Sequence, residues 1–199
     1  MAIVVEHEKR RFEILERALD IFVEEGYEDA TFQKIADRCG ITRTTLYLYF
    51  KNKREIFVWS IKQLTTRLES DLREMMAMDA LTYGQRLERV LYTIIDRCVD
   101  NRRLFNVVLT YLLQVQKTGK DPDSRVRRRT IRLKHLLSQL LIAGKDSGEF
   151  CEFNVKDANE LFYSLIESAI FKIAILDRST SDEIKSAISL AVKGISIST

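Results

Sequence analysis

Apolar residues return at three- and four-residue intervals through most of this chain. Phe12, Leu15, Ala18, Leu19, Phe22 and Val23 make a first stripe of the kind an amphipathic helix buries. Gly26 follows as a C-cap. Thr31 reopens the chain as an N-cap, and Phe32, Ile35, Ala36 and Cys39 give a second, shorter stripe. Gly40 sits where a tight turn needs a left-handed residue. Thr42 then caps a third, very short helix that turns Leu46 inward. Asn52, with Glu55 at the third position, reads as a capping box opening a fourth helix that runs unbroken to about Met78. At about 1.5 Å per residue that helix spans roughly 40 Å, long enough to couple two domains. Five more helices are predicted over residues 83–100, 102–117, 124–143, 155–176 and 181–195, with loops at 118–123 (Gly119, Pro122) and 144–154 (Gly144, Gly148).

Composition supports this all-α reading of about nine helices. One proline and seven glycines in 199 residues leave few helix breakers, and too few turn residues for a mainly β protein. With 46% hydrophobic and 31% charged residues the chain fits a globular protein. The apolar run Ala2–Val5 is too short for the core of a signal peptide, and nothing approaches the apolar length of a membrane span. Cys39, Cys98 and Cys151 are three in number, far apart and in no CxxC pattern, so neither a disulfide framework nor a metal site is expected. A reducing cytoplasm fits best. With two histidines, His7 and His135, and no Gly-rich phosphate loop or nucleophile motif, no catalytic residue, cofactor or enzymatic activity is expected.

The net charge of +3 says little, but its distribution says more. Between Thr31 and Arg54 six basic residues (Lys34, Arg38, Arg43, Lys51, Lys53, Arg54) stand against Asp37 alone. Between Glu13 and Asp29 seven acids stand against Arg17 alone. Such segregation implies a module with a basic and an acidic face, able to orient on a polyanion. The two short helices, their glycine turn and the supporting first helix make a helix-turn-helix. Its third helix exposes Arg43, Thr44, Thr45 and Tyr47, side chains suited to guanine edges, thymine methyls and phosphates. The amides opening the fourth helix, with the Lys53 ammonium, form a phosphate site. A structural three-helix bundle with a solvated basic face would show the same spacing.

The run T-F-Q-K-I-A-D-R-C-G-I-T-R-T-T-L-Y-L-Y-F-K-N-K-R-E-I-F from Thr31 to Phe57 closely resembles the signature of the TetR (TetR/AcrR) family of bacterial transcriptional regulators. The resemblance covers about a quarter of the chain. It implies phosphate contacts at Thr31, Tyr47, Tyr49 and Lys53, and major-groove positions at Gln33, Arg43, Thr44 and Thr45, with Thr42 in the same DNA-binding set. Tyr49 stands where the family often has histidine. Leu46 and Phe50 read as core. The organisation implied is a helix-turn-helix DNA-binding domain over residues 1–54 and a helical effector-binding and dimerisation domain over 55–199.

The last two predicted helices are apolar on more than one face, which suits burial against both a protomer core and a partner, or a wholly intramolecular core. In the resembled family these helices pair with their symmetry mates, which implies a homodimer with Leu161, Leu165, Ile173, Ile184, Ile188 and Ala191 at its interface. The family also encloses a small-molecule pocket. Tyr92, Cys98, Phe105, Tyr111, His135, Phe162, Tyr163, Glu167 and Phe171 are the candidates to line one here, although aromatics at helical spacing are more often core. Glu167, among Ile166, Ile170 and Phe171, needs a partner such as His135 or a cationic ligand, unless it faces water. The basic run 125–132 reads as a solvated helix start. The function expected is a repressor whose dimer reads a palindromic double-stranded operator and is released by a small-molecule effector. The alternative is a DNA-binding protein of the same fold that is ligand-independent or governed by a protein partner.

Overall fold

The computed structural model describes residues 2–117, 124–176 and 181–197. Among them are nine helices: α1 (Ala2–Asp29), α2 (Phe32–Arg38), α3 (Arg43–Tyr47), α4 (Lys53–Met76), α5 (Tyr83–Asp100), α6 (Arg102–Lys117), α7 (Ser124–Asp146), α8 (Val155–Ala174) and α9 (Ser181–Ile195). The only β feature among these residues is an isolated bridge between Phe150 and Ser196. The predicted loop at 118–123 and the side chains of Arg125, Arg127, Arg128 and Arg129 lie outside the described residues.

α1 begins at Ala2, earlier than its apolar stripe suggests, because nothing in the first residues breaks a helix. Its regular backbone is interrupted at Gly26 (φ 85°). The stripe it buries is Ile14, Leu15, Ala18, Ile21 and Phe22, whereas Phe12, 38% exposed, lies outside it. The helix therefore presents a face rotated from the one read in the sequence. α7 extends three residues past the predicted end, through Gly144 to Asp146, since one glycine weakens a helix without ending it.

The chain divides into two compact units, and the division falls inside α4 and α6. One unit holds α1, α2, α3, α4 as far as Arg67, and α6 from Val107 onward. Its core is Ile14, Ala18, Phe22, Ile35, Leu46, Phe50, Ile56 and Phe57, joined by Tyr111. Phe22, Phe57 and Tyr111 meet edge-on within 5.0 Å in pairs. Burying each such aromatic contributes about 1.5–3 kcal/mol from apolar area.

The other unit holds the rest of α4 and α6 with α5, α7, α8 and α9. α5 lies at its centre because Leu87, Val90, Leu91, Ile94, Ile95 and Cys98 give it a continuous buried stripe. Thr82 and Gln85 open α5 with a reciprocal capping box. The Glu149 carboxylate adds a second cap, accepting from the Tyr83 amide at 2.6 Å. Arg86 is almost fully buried and donates to the carbonyls of Leu81 and Met76, which satisfies its guanidinium and pins the turn before α5. Burial pushes the Cys98 thiol up to about 12.

α8 and α9 divide their apolar residues differently from the expected interface set. Ile173, Ile184 and Ile188 are buried in the protomer's own core, and Leu165 and Ala191 pack partly against it. Of the six, Leu161 alone is exposed. The outward face carries Leu161, Phe171 and Ile175 on α8 and its C-cap, and Leu190 on α9. Two apolar stripes on one helix look alike in a sequence; only packing decides which one the core takes.

Candidate nucleic-acid interface

The helix-turn-helix is built from local bonds that its sequence specifies. The Thr31 hydroxyl accepts from the Lys34 amide and opens α2. At the other end Gly40 adopts φ +66°, so the Ile41 amide reaches the Ala36 carbonyl and the Gly40 amide the Asp37 carbonyl. These two bonds are a Schellman motif; they close α2 and set the direction in which α3 leaves. Thr42 caps α3 through a bond from the Thr45 amide at 3.1 Å. Leu46 and Phe50 are wholly buried, which fixes the rotation of α3 about its axis.

That rotation leaves Thr42, Arg43, Thr44 and Tyr47 exposed and Thr45 half-buried, so the recognition set shares one short helix and its cap. The Arg43 guanidinium donates to the Tyr47 hydroxyl at 3.3 Å, one helical turn away. Tyr47 is held from below by Phe32, ring to ring at 4.5 Å. Gln33 is exposed on α2 and donates to Asp37. Tyr49 is half-buried and stacks on His7 of α1 at 4.5 Å. Nothing local points to His7, because the pairing joins residues 42 positions apart.

Lys53 is placed differently from the rest. Its ammonium donates to the carbonyls of Tyr27 and Glu28 at 2.7 and 2.9 Å and lies 4.6 Å from the Tyr27 ring centroid. It closes the end of α1, where helix carbonyls lack intrahelical partners. The capping arrangement of α4 is also shifted. Asn52 accepts from the Glu55 amide, but the Glu55 carboxylate reaches back to the Lys51 amide.

The separation of acidic and basic stretches becomes ion pairing across helices rather than two opposed faces. Lys34 pairs with Glu25 at 2.8 Å, and Arg38 with Glu24 at 2.7 Å. The hydrogen bond from Arg38 holds the exposed Glu24 carboxyl below the usual carboxylate range. Arg54 donates to Tyr111. From α1, Arg10 and Arg17 donate to the carbonyls of Cys39 and Arg38 at the end of α2. Arg43 and Lys51 thus keep exposed charges that meet neither an acid nor a carbonyl above, and Arg54 is exposed with its guanidinium on the Tyr111 hydroxyl.

The nine residues considered for an effector pocket do not converge. Tyr111 belongs to the first unit, where it packs on Tyr27 and Phe57. Cys98 and Phe162 are buried in the core of the second unit, with Phe105 packed partly against it. Tyr92 donates its hydroxyl to the Lys185 carbonyl, and the Lys134 ammonium lies over the Tyr163 ring. His135, Glu167 and Phe171 are exposed, so Glu167 takes the solvated alternative. Among the described residues no cluster of three or more histidines, cysteines or acids could hold a metal, and no helix is long and apolar enough to cross a membrane.

Residues 14–58 match the family model described as bacterial regulatory proteins, tetR family. The fatty acid metabolism regulator protein of Bacillus subtilis is 24% identical over 163 residues, covering 79% of this chain and 80% of that protein. The crystal structure of FadR from Bacillus subtilis in complex with stearoyl-CoA is similar at a TM-score of 0.75 and 21% identity, over 92% of this chain and 98% of that one. A TetR transcription regulator from Haloarcula marismortui is similar at a TM-score of 0.84 and 19% identity, over 96% of this chain and all (100%) of that one. At these identities the solved structures show the fold.

Proposed function

Because the chain belongs to the tetR family of bacterial regulatory proteins, and is a DNA-binding transcriptional regulator, we propose that it is a homodimeric repressor released from a palindromic operator by a small acyl-chain effector. The observation that carries the DNA-reading half is the exposed edge of α3. Thr42 fixes its start and Leu46 its rotation, and what remains outward is Arg43, Thr44 and Tyr47. Arg43 reads a guanine, Thr44 and Thr45 meet thymine methyls or phosphates, and Tyr47 and Thr31 fix the module on the backbone. Gln33 and Tyr49 flank this edge.

The dimer reading rests on the outward apolar face of α8 and α9 in the second unit, where Leu161, Phe171, Ile175 and Leu190 are all more than 40% exposed. To read a palindrome, a two-fold pair needs its two α3 helices about 34–36 Å apart, one turn of DNA. The effector reading rests on the likeness to the fatty acid metabolism regulator protein and to FadR in complex with stearoyl-CoA. The ligand shifts the DNA-bound population only by binding the two conformations of the dimer unequally. In this division of labour residues 1–54 read DNA, and the remainder binds the effector and the partner protomer. The cytoplasm is the compartment that fits, and no catalytic step is assigned.

DNA fragments captured by the purified protein and sequenced should share a palindrome. On that fragment Arg43→Ala should weaken binding by about 1–3 kcal/mol and relax the preference at one base pair. Long-chain acyl-CoA should release the wild-type protein. If acyl-CoA, free fatty acid and CoA all leave the complex intact, the effector half fails while the DNA-reading half stands. Within the second unit the pocket candidates divide between buried core (Cys98, Phe162) and exposed surface (His135, Glu167, Phe171), which supports, as a second reading, control by a protein partner.

A further inference from the structure

The first turns of α1 reach across the helix-turn-helix. His7, Arg10, Arg11 and Ile14 recur at three- and four-residue spacing and so share one face of the helix. Ile14 is 1% exposed and seats that face on the core. Arg10 donates to the Cys39 carbonyl at 3.3 Å, at the end of α2. The Arg11 guanidinium lies over the Phe50 ring, 5.1 Å from its centroid, and over that of Trp59 at 4.3 Å. His7 stands one turn further out and lies against Tyr49, with 4.5 Å between ring centroids and 21° between the planes. The register of an anchored helix therefore sets this stack.

The place of Tyr49 gives the stack a use. Tyr49 lies in the turn between α3 and α4, where its amide bonds the Leu46 carbonyl and the next residue, Phe50, is buried. With the backbone held, only the side-chain torsions of the tyrosine remain to be fixed. The two tyrosines beside the recognition edge differ in their hydroxyls. That of Tyr47 accepts from Arg43, whereas that of Tyr49 has no hydrogen-bond partner among the described residues. A phenol with a fixed ring and a spare hydroxyl, two residues past α3, is suited to donate to a DNA phosphate.

We propose that His7 is a positioning residue for DNA binding, its ring holding Tyr49 in the rotamer that offers the hydroxyl to a phosphate. Fixing the ring before DNA arrives removes the cost of ordering it on binding. The inference rests on the DNA-reading edge proposed above and extends it from α3 to the start of α1.

The full chain is compared with His7→Ala, Tyr49→Phe and the double variant by mobility shift on the DNA fragment it captures. His7 is exposed and Tyr49→Phe removes one oxygen, so each variant keeps the fold. His7→Ala should weaken binding by about three- to tenfold, the worth of an aromatic pair. Tyr49→Phe keeps the ring and the stack but lacks the hydroxyl. In that background His7→Ala should change affinity by less than about twofold, because both changes then act through one contact. His7→Phe, which retains a stacking ring, should bind as the wild-type protein does. An equal loss from His7→Ala with and without the hydroxyl would overturn the proposal, since a merely structural role acts alike in both. Undiminished binding by His7→Ala would do the same. If Tyr49→Phe binds as tightly as wild type while Arg43→Ala does not, the proposal fails and the α3 reading edge stands.

Discussion

At Lys53 two roles compete for one ammonium group. The signature motif places it against a phosphate, whereas its bonds run to the Tyr27 and Glu28 carbonyls at the end of α1. Hydrogen bonds from a charged donor contribute about 1.5–3 kcal/mol, and removing this one strands two helix-terminal carbonyls. Lys53→Met, which keeps the apolar stem, should therefore lower stability to urea by about 1–3 kcal/mol in DNA-free protein. A variant as stable as wild type but defective in operator binding would return Lys53 to a purely phosphate role. The thiols offer a parallel case. Cys39 and Cys98 are buried, and burial raises both thiols, whereas Cys151 is half-exposed. In native protein a disulfide reagent should titrate Cys151 first and reach the other two only on unfolding. Simultaneous reaction of all three would contradict the buried placement.

Helix α7 carries a conflict between propensity and packing at Gly144. Alanine in a helix interior is worth about 1 kcal/mol over glycine, so helix preference alone favours Gly144→Ala. A Cβ at that position would overlap the Phe150 ring, itself 3% exposed, on a residue whose backbone bridges to Ser196. Overpacking of this kind costs typically 1–3 kcal/mol. The ring lies in the core and is not a flexible chain end, so the steric cost wins. Gly144→Ala should lower the melting temperature, and a rise would show that Phe150 can move aside. The rotation of α1 follows the same rule of packing over pattern: Ile14 and Ile21 are buried, while Phe12 is left out.

For the whole molecule, the neutralisation of Lys34 and Arg38 by Glu25 and Glu24 bears on how it binds a polyanion. Each phosphate neutralised by a basic residue adds about 0.9 to the slope of log affinity against log salt. If all six cations of Thr31–Arg54 met phosphates, a dimer would give a slope of about −11. If only the four left after those pairings (Arg43, Lys51, Lys53 and Arg54) do so, the slope is about −7. The pairing favours the shallower value, which mobility shifts across a salt series would measure. The proposed dimer face makes a matching prediction. Leu190→Glu places a charge on the outward side of α9, where Leu190 is 73% exposed in the protomer. Light scattering should find this variant monomeric, with unchanged helicity. A dimer that tolerates the charge would move the interface elsewhere.

Local structure was legible because its causes are local. Thr31, Gly40, Thr42 and Asn52 act on amides within a few residues of themselves, so caps, turns and most helix limits follow from sequence order. The inward turn of Leu46 followed for the same reason, as did the outward edge from Arg43 to Tyr47. What tertiary structure decided was the choice between equivalent options. Two apolar stripes on α8 and α9 compete for one core, and the core takes Ile173, Ile184 and Ile188, leaving Phe171 and Leu190 outside. The cations near the recognition helix could face solvent or an acid, and α1 supplies the acids. His7 on Tyr49, Lys53 on the end of α1 and Arg11 on Trp59 join residues far apart in order. Periodicity records that a side chain is apolar or charged; the partner it meets is fixed only when helices pack.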